Sequence, residues 1–350
     1  MEILTNTQMS AARRCPRQYF YQYRCGLVKM RTAQPLRFGG VFHRGLELLH
    51  KGHEDPINEA AKAYDVIPEW ADPEAWAVER ETVRELLAGH FWRYENDTLE
   101  TLAVEQVFRM PLVNPDTGRS SRTFVLSGKI DRIVRLPDGR VAVLEYKTSG
   151  EDISPDSMYW RRLRYDGQIS LYVLAARAIG FDVSCVLYDV TRKPEIRPCQ
   201  VPTLDEQGLK VVVDAAGQRV LTKDGKPRQT GDSAKGYTLL ARKETAEEFG
   251  QRLLADVAQR PDFYYARREL ARTEDVLNEF RAELWQQGLQ IQTATKKDLW
   301  FRNVTALTCQ RCEYNEFCLN GIKVTPGGDI PAGFLRREDL HPELSDEEVA

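Results

Sequence analysis

No apolar run in this 350-residue chain is long enough to cross a bilayer. No basic start leads into an apolar stretch of the kind that marks a signal peptide. These absences exclude a membrane-spanning protein and point to the cytoplasm. Cysteine is scarce, seven residues in all, and in a reducing compartment a chain this long does not rest on a disulfide framework. Metal binding or simple burial is what remains for the thiols. Net charge is also small: 49 basic against 52 acidic residues give −3, so nothing pulls the whole molecule toward a polyanion and nucleic-acid binding must come from a local patch. The glycine-rich phosphate loop of a nucleotide-driven motor is also missing. No internal repeat is evident.

What is present is enough apolar residue, 42% of the chain, to bury one substantial core, with room for a helical insertion. Charge is unevenly spread. Residues 1–51 carry nine Lys or Arg against two acids, and residues 52–105 carry four against fourteen. That contrast fits one face for phosphate and another for solvent.

Thr5 or Thr7 can cap a first helix ending near Cys15, and Pro16 can open a second that runs to Cys25 and stops at Gly26. A third helix is expected from near Gly40, with Phe42, Leu46 and Leu49 at helical spacing, and acidic amphipathic helices fill residues 56–100. Strands follow over 102–147. Residues 166–179 are apolar nearly all round and read as a buried helix, residues 181–190 as a buried strand, and residues 244–259 and 273–287 again as helices. The fold class is α/β. One domain spans residues 1–322: an insertion at about 50–100, a core at 101–200, a hairpin excursion at 203–240 and a helical and cysteine segment at 244–320. The polar tail 323–350 is expected to be partly disordered.

Residues 127–148 read as a β-hairpin. Pro137 excludes the primed turns, which leaves a type I turn with Gly139 in the left-handed bulge position. Leu136 then pairs with Arg140, which sets Asp131 opposite Glu145 on one face. Lys147 shares that face, because side chains alternate along a strand. Val141, Ala142, Val143 and Leu144 are apolar on both faces, so the strand is buried, and charges at the end of a buried strand point to a site. Two carboxylates and a lysine arranged this way suit phosphodiester cleavage with Mg²⁺ or Mn²⁺.

Basic and aromatic residues interleave from Arg13 to Arg24, around Arg17, and again at Tyr159, Trp160, Arg161, Arg162 and Arg164. Cations can follow a phosphate backbone while rings stack on unpaired bases. Cys309, Cys312 and Cys318 cluster near one end of the chain, and Cys15 at the other would complete a four-thiolate site. Such a site holds zinc or a four-iron four-sulfur cluster, and ligand chemistry alone does not choose.

Four segments, in order across residues 10–180, resemble the RecB-type exonuclease branch of the PD-(D/E)XK superfamily. They are Gly39 to His43 on a helix, Gly128 to Arg132, Glu145 to Thr148, and Gln168 with Tyr172 one helical turn apart. The resemblance implies a restriction-endonuclease-like mixed central sheet flanked by helices. It implies metal ligation by His43, Asp131, Glu145 and the carbonyl of Tyr146, with Lys147 as the catalytic lysine and Gln168 and Tyr172 positioning the site or DNA. Glu105 stands where relatives often carry an additional acid. Cys15–Pro16 together with the three later cysteines resembles AddB-type and CRISPR-associated adaptation nucleases, which implies an iron–sulfur clasp joining the termini rather than zinc. The activity so implied is a DNA exonuclease on single strands or ends, in recombination, repair or phage DNA processing, alongside a helicase or recombination partner. A catalytically silent iron–sulfur scaffold that binds DNA is the competing reading, and the complete acid and lysine set speaks against it. A zinc-stabilised RNA-binding protein is a third.

Overall fold

The computed structural model describes residues 1–341 and Leu344; the remaining residues, in the last part of the expected polar tail, lie outside the described residues. The chain opens with strand β1 (Glu2–Leu4) and helix α1 (Asn6–Arg14), where Thr5 and Gln8 form a reciprocal capping box. Helix α2 (Pro16–Tyr19) runs into a π-helical turn, Phe20–Arg24, and strand β2 (Leu27–Lys29) follows. Gly26, at φ +68°, makes the break between them. Helix α3 spans Gln34–His50. It begins six residues before Gly40 because Pro35 can occupy the first turn, where its missing N–H is not needed. Helices α4 (Pro56–Ala61) and α5 (Pro73–Arg93) complete the insertion, each opened by an aspartate cap and a proline.

The sheet strands are β3 (Glu100–Val113), β4 (Ser120–Arg135), β5 (Val141–Ser149) and β6 (Val183–Arg192), with helices α6 (Met158–Leu163) and α7 (Gly167–Ala178) before the last. Short strands β7 (Gln200–Pro202), β8 (Val212–Val213), β9 (Thr238–Leu239) and β10 (Ala241–Lys243) form the hairpin excursion. Within it Val211 donates to Thr203, Val220 to Val212 and Arg228 to Val220, so small hairpins step along the chain at a regular interval. Here the structure corrects the expectation of no internal repeat: three turns, 205–211, 214–220 and 222–228, share a pattern in which Asp205, Asp214 or Thr222 accepts from the backbone and Gly208, Gly217 or Gly225 takes a positive φ. Helices α8 (Ala246–Gln259) and α9 (Pro261–Tyr264), strand β11 (Tyr265–Ala271) and helix α10 (Glu274–Lys297) come next. Helices α11 (Ala306–Gln310) and α12 (Asn315–Leu319) carry the late cysteines, and strand β12 (Phe334–Arg336) ends the series. Strand β11 was not expected, because its Arg- and Glu-rich sequence hides the period of an edge strand.

Among the described residues six strands form the main sheet, in the order β1-β4-β5-β6-β11, with β3 on the other side of β4. Strands β1 and β5 therefore share one edge of β4. β1 pairs there with residues 124–126 and β5 with 132–135, leaving a gap between them. Val143, Val186, Tyr188 and Val190 face a layer built from α1, α7 and α10. Ala142, Leu144, Tyr146 and Leu187 face α3, α5 and α8. Strand β5, buried on both sides, pairs in parallel with β6 as far as Ser149. The two ends of the chain meet: β12 pairs with β2, and the Tyr314 hydroxyl donates to the Leu27 carbonyl at 2.8 Å.

Asp189 on β6 ties three elements together in the core. Its carboxylate accepts from Arg267 on β11 at 2.6 Å and lies 3.2 Å from His90 on α5. Burial pushes this carboxyl up, but His90 and Arg267 outweigh it and hold it at about 2. We expect Asp189→Ala to cost about 1–3 kcal/mol in urea unfolding, since it leaves the His90 ring without this partner and Arg267 with Asp97 alone. In the wild type the contribution of Asp189 is fully present above about pH 4, its unfolded range, and is lost as the pH falls toward 2. A stability profile flat through that window would contradict the assignment.

Candidate active site

The β4–β5 hairpin closes as its sequence requires. Leu136 donates to the Arg140 carbonyl at 2.8 Å and Gly139 to Leu136 at 2.9 Å, with Gly139 at φ +88°. The ladder runs Arg135↔Val141 to Arg132↔Leu144 and then stops. The next residues are Asp131 and Glu145. Instead of continuing the ladder, β5 turns away, and its Tyr146 N–H donates to Asp131 Oδ2 at 2.9 Å. A side-chain carboxylate thus satisfies a backbone donor that the opening of the sheet would otherwise leave unpaired.

Around this opening the structure gathers most of the residues singled out above. His43 Nδ1, reaching in from α3, stands 3.5 Å from Asp131 Oδ2. Lys147 Nζ meets Glu145 Oε1 at 2.5 Å and donates to Gln168 Oε1 at 2.8 Å, and Gln168 Nε2 in turn donates to the Tyr172 hydroxyl at 3.0 Å. Glu145 is 1% exposed, and its Oε2 has no hydrogen-bond partner among the described residues. Burial and the charge of Asp131 push its carboxyl up, against the pull of Lys147. Burial disfavours the charged imidazole of His43, yet Asp131 beside it raises that group overall. Gly128 lies under the site: a β-carbon there would come within 2.9 Å of the Phe108 ring.

Glu105 sits between Val104 and Gln106, which pair with Arg132 and Ile130, and so lies across from Asp131. It is a non-glycine residue at φ +51°, a strained backbone of the kind found at functional sites. Its carboxylate meets Lys129 Nζ at 2.5 Å, while burial and Asp131 push its carboxyl up. As they stand, no three His, Cys, Asp or Glu side chains among the described residues are drawn together tightly enough to hold a metal ion, and here Asp131 and Glu145 are instead paired with His43 and Lys147.

Beneath β5 the Tyr146 ring enters the α3–α5 layer. Its hydroxyl lies 2.8 Å from His50 Nε2, the rings are stacked at 6.1 Å, and Arg132 Nη1 approaches both groups at 3.4 and 3.3 Å. Because the hydroxyl and the guanidinium are both donors, His50 Nε2 must accept. Burial and Arg132 lower the His50 pKa to about 3, in keeping with a neutral ring. His50 follows His43 by two helical turns, a spacing legible in the sequence but without meaning until Tyr146 is placed. Asp166 is a second residue that was missed: it caps α7 through the Gln168 and Ile169 N–H groups and raises the Lys147 pKa together with Glu145.

The surface candidates divide. Tyr159 and Trp160 are 8% and 5% exposed, and the Trp160 indole donates to Ile153, so these rings are not free to stack on bases. Helix α6 is amphipathic and turns its aromatics inward. Arg162 is held by Glu151, while Arg161 and Arg164 are exposed. Arg17 packs over Phe20 and Tyr21 and lines the cysteine cavity. That cavity, of about 30 Å³, is lined by Cys15, Cys309, Cys312 and Cys318. The Asn303 backbone N–H points at Cys15 Sγ and Arg302 Nε at Cys318 Sγ, each at 3.4 Å. The other cysteines are free and lie elsewhere.

A family model described as the PD-(D/E)XK nuclease superfamily matches residues 4–319. No curated protein matches the chain. The chain is similar to a solved structure described as the crystal structure of SSO0001, with 11% identity, 90% of this chain and 85% of that one covered, and a TM-score of 0.32.

The His50 arrangement makes a prediction. His50→Leu leaves the Tyr146 hydroxyl and an Arg132 N–H without their acceptor and should cost about 1–3 kcal/mol in urea unfolding. His50→Gln restores an acceptor and should recover at least half of that loss. Equal stability of the two variants would show that the acceptor is immaterial.

Proposed function

Since the chain belongs to the PD-(D/E)XK nuclease superfamily, we propose that it is a Mg²⁺- or Mn²⁺-dependent deoxyribonuclease of the RecB-type branch, acting on single strands or DNA ends. The observation that carries this reading is the convergence of Asp131, Glu145 and Lys147 where β5 leaves β4. The donor types fit such an ion, which would draw Asp131 and Glu145 together from their pairs with His43 and Lys147. His43, Asp131, Glu145 and the Tyr146 carbonyl offer mainly hard oxygens, and the buried, unpartnered Glu145 Oε2 is an acceptor that a cation would satisfy. When bound, the ion supplies Lewis-acid activation of the attacking water and charge neutralisation at the phosphate.

The chain's own residues do the rest. Two of the three ammonium N–H groups of Lys147 are committed to Glu145 and Gln168, which aims the third at the substrate's phosphate oxygens. Gln168 is itself held by Tyr172, so the lysine is positioned before substrate arrives. His43 orients Asp131 from the α3 side, and Glu105 adds a further acid at the rim. Arg161 and Arg164 offer cations to the phosphate backbone. The biological setting this activity suits is recombination, repair or phage DNA processing, with a partner supplying any unwinding.

For the four cysteines we propose a four-iron four-sulfur cluster that clasps the ends of the single domain. The N–H groups aimed at Cys15 and Cys318 are of the kind that stabilise ligating sulfur. A single zinc ion is the second reading, since four thiolates suit it as well.

Labelled single- and double-stranded DNA, incubated with Mg²⁺ or Mn²⁺ and with chelator, tests the main reading. We expect metal-dependent cutting, and Lys147→Ala should lower it by roughly 10²–10³-fold with melting little changed, since Glu145 can take up a proton once unpaired. Intact DNA under every condition would favour the silent scaffold. Visible absorption of anaerobically purified protein separates cluster from zinc. Cys318→Ala should lose the bound group, melt earlier and become protease-sensitive at both ends. Unchanged melting would remove the clasp's structural role.

A further inference from the structure

The surface beside the site carries one ring that faces water. Tyr165, in the turn between α6 and α7, is 74% exposed. The turn is fixed: Tyr165 N–H donates to Arg162 at 3.1 Å and Asp166 N–H to Leu163 at 3.2 Å. Asp166 then caps α7, and Gln168, three residues past Tyr165, holds the Lys147 ammonium. The ring is therefore tethered to the catalytic lysine through hydrogen-bonded backbone and one side chain.

Its surroundings are cationic. Arg161 and Arg164 are exposed, and neither has an acidic partner among the described residues, unlike Arg162, which Glu151 neutralises. From α1, Arg13 brings its guanidinium to Gly167, where a β-carbon would stand 3.5 Å from Nη1. An exposed ring on a hydrogen-bonded turn, with Arg161 and Arg164 within four residues of it and Arg13 at Gly167, matches a polyanion that also presents flat apolar faces. Paired bases keep those faces inside the duplex, whereas an unpaired base offers one. An apolar protein surface would find little here beyond Met158.

We propose that Tyr165 is the platform on which an unpaired base stacks beside the bond to be cut, with Arg13, Arg161 and Arg164 holding the neighbouring phosphates. This assignment rests on the nuclease reading and names the feature that sets its preference for unpaired DNA.

The test is binding by the full chain in chelator, so that no cleavage is needed. The probes are a fluorescent oligothymidylate, a blunt duplex of equal length, and a single strand carrying 2-aminopurine, whose emission falls on stacking. Tyr165→Leu should weaken single-strand binding roughly tenfold and abolish the quench. Duplex binding should be unchanged, and Tyr165→Phe should behave as wild type. Arg164→Gln should weaken the single strand and flatten the salt dependence of its binding. The proposal is overturned by Tyr165→Leu that binds and quenches normally, by equal loss on both DNAs, by Tyr165→Phe as weak as the leucine variant, or by wild type that ignores single strands. Stacking that needs Tyr165 in a protein that never cuts would sink the nuclease reading alone. Cutting indifferent to Tyr165 would sink this assignment alone.

Discussion

One hydrogen bond, from the Tyr146 N–H to the Asp131 carboxylate, decides the geometry of the site. Two antiparallel strands that simply continued to pair would place a backbone ladder where Asp131, Glu145 and Lys147 converge. By accepting the bond that β4's backbone would have made, Asp131 lets β5 diverge without leaving a buried donor orphaned. The gap so opened is bounded by β1 on one side and the hairpin on the other, both on the same edge of β4. It can be reached from α3, which brings His43, and from α7, which brings Gln168 and Tyr172.

A carboxylate as deeply buried as Glu145 needs a reason to persist. Lys147 supplies part of it, and the lysine is in turn anchored through Gln168 to Tyr172, whose ring packs edge-on against Phe108. On the other face, His50 and Arg132 pin the Tyr146 side chain, so the residue whose backbone holds Asp131 is fixed from both ends. The charged groups on one face and the aromatic and imidazole layer on the other form a single mechanical unit with β5 at its centre.

Much of this was legible in the residues. Pro137 and Gly139 restrict the hairpin to one turn, and that turn alone sets the register that puts Asp131 across from Glu145. The alternation of Val143, Glu145 and Lys147 against Ala142, Leu144 and Tyr146 assigns the faces. What could not be read depends on contacts between distant segments. His50 means nothing until Tyr146 is beneath it. Tyr159 and Trp160 look like stacking residues because composition does not say which side of a two-turn helix meets the core. Strand β11 carries Arg267 and Arg268, side chains suited to solvent, yet Arg267 is drawn inward by Asp189, which a linear pattern does not reveal. The hairpin excursion repeats in sequence as well, with Asp205, Gly208, Lys210 and Val211 matched by Asp214, Gly217, Arg219 and Val220, a period short enough to pass for ordinary loop composition.

The meeting of the two ends has a consequence for how the protein is made. Cys15 shares its cavity with Cys318, and the strand next to it pairs with residues 334–336. A ribosome adding about 5–20 residues per second needs roughly 15–60 s to travel between those cysteines. For most of that interval α2, the π-helical turn and β2 lack Trp300, Phe317 and strand β12, against which they pack. A segment made early is thus among the last to find its place, and a nascent chain already holding Asp131, Glu145 and Lys147 still waits for α11, α12 and β12 before residues 15–29 are covered.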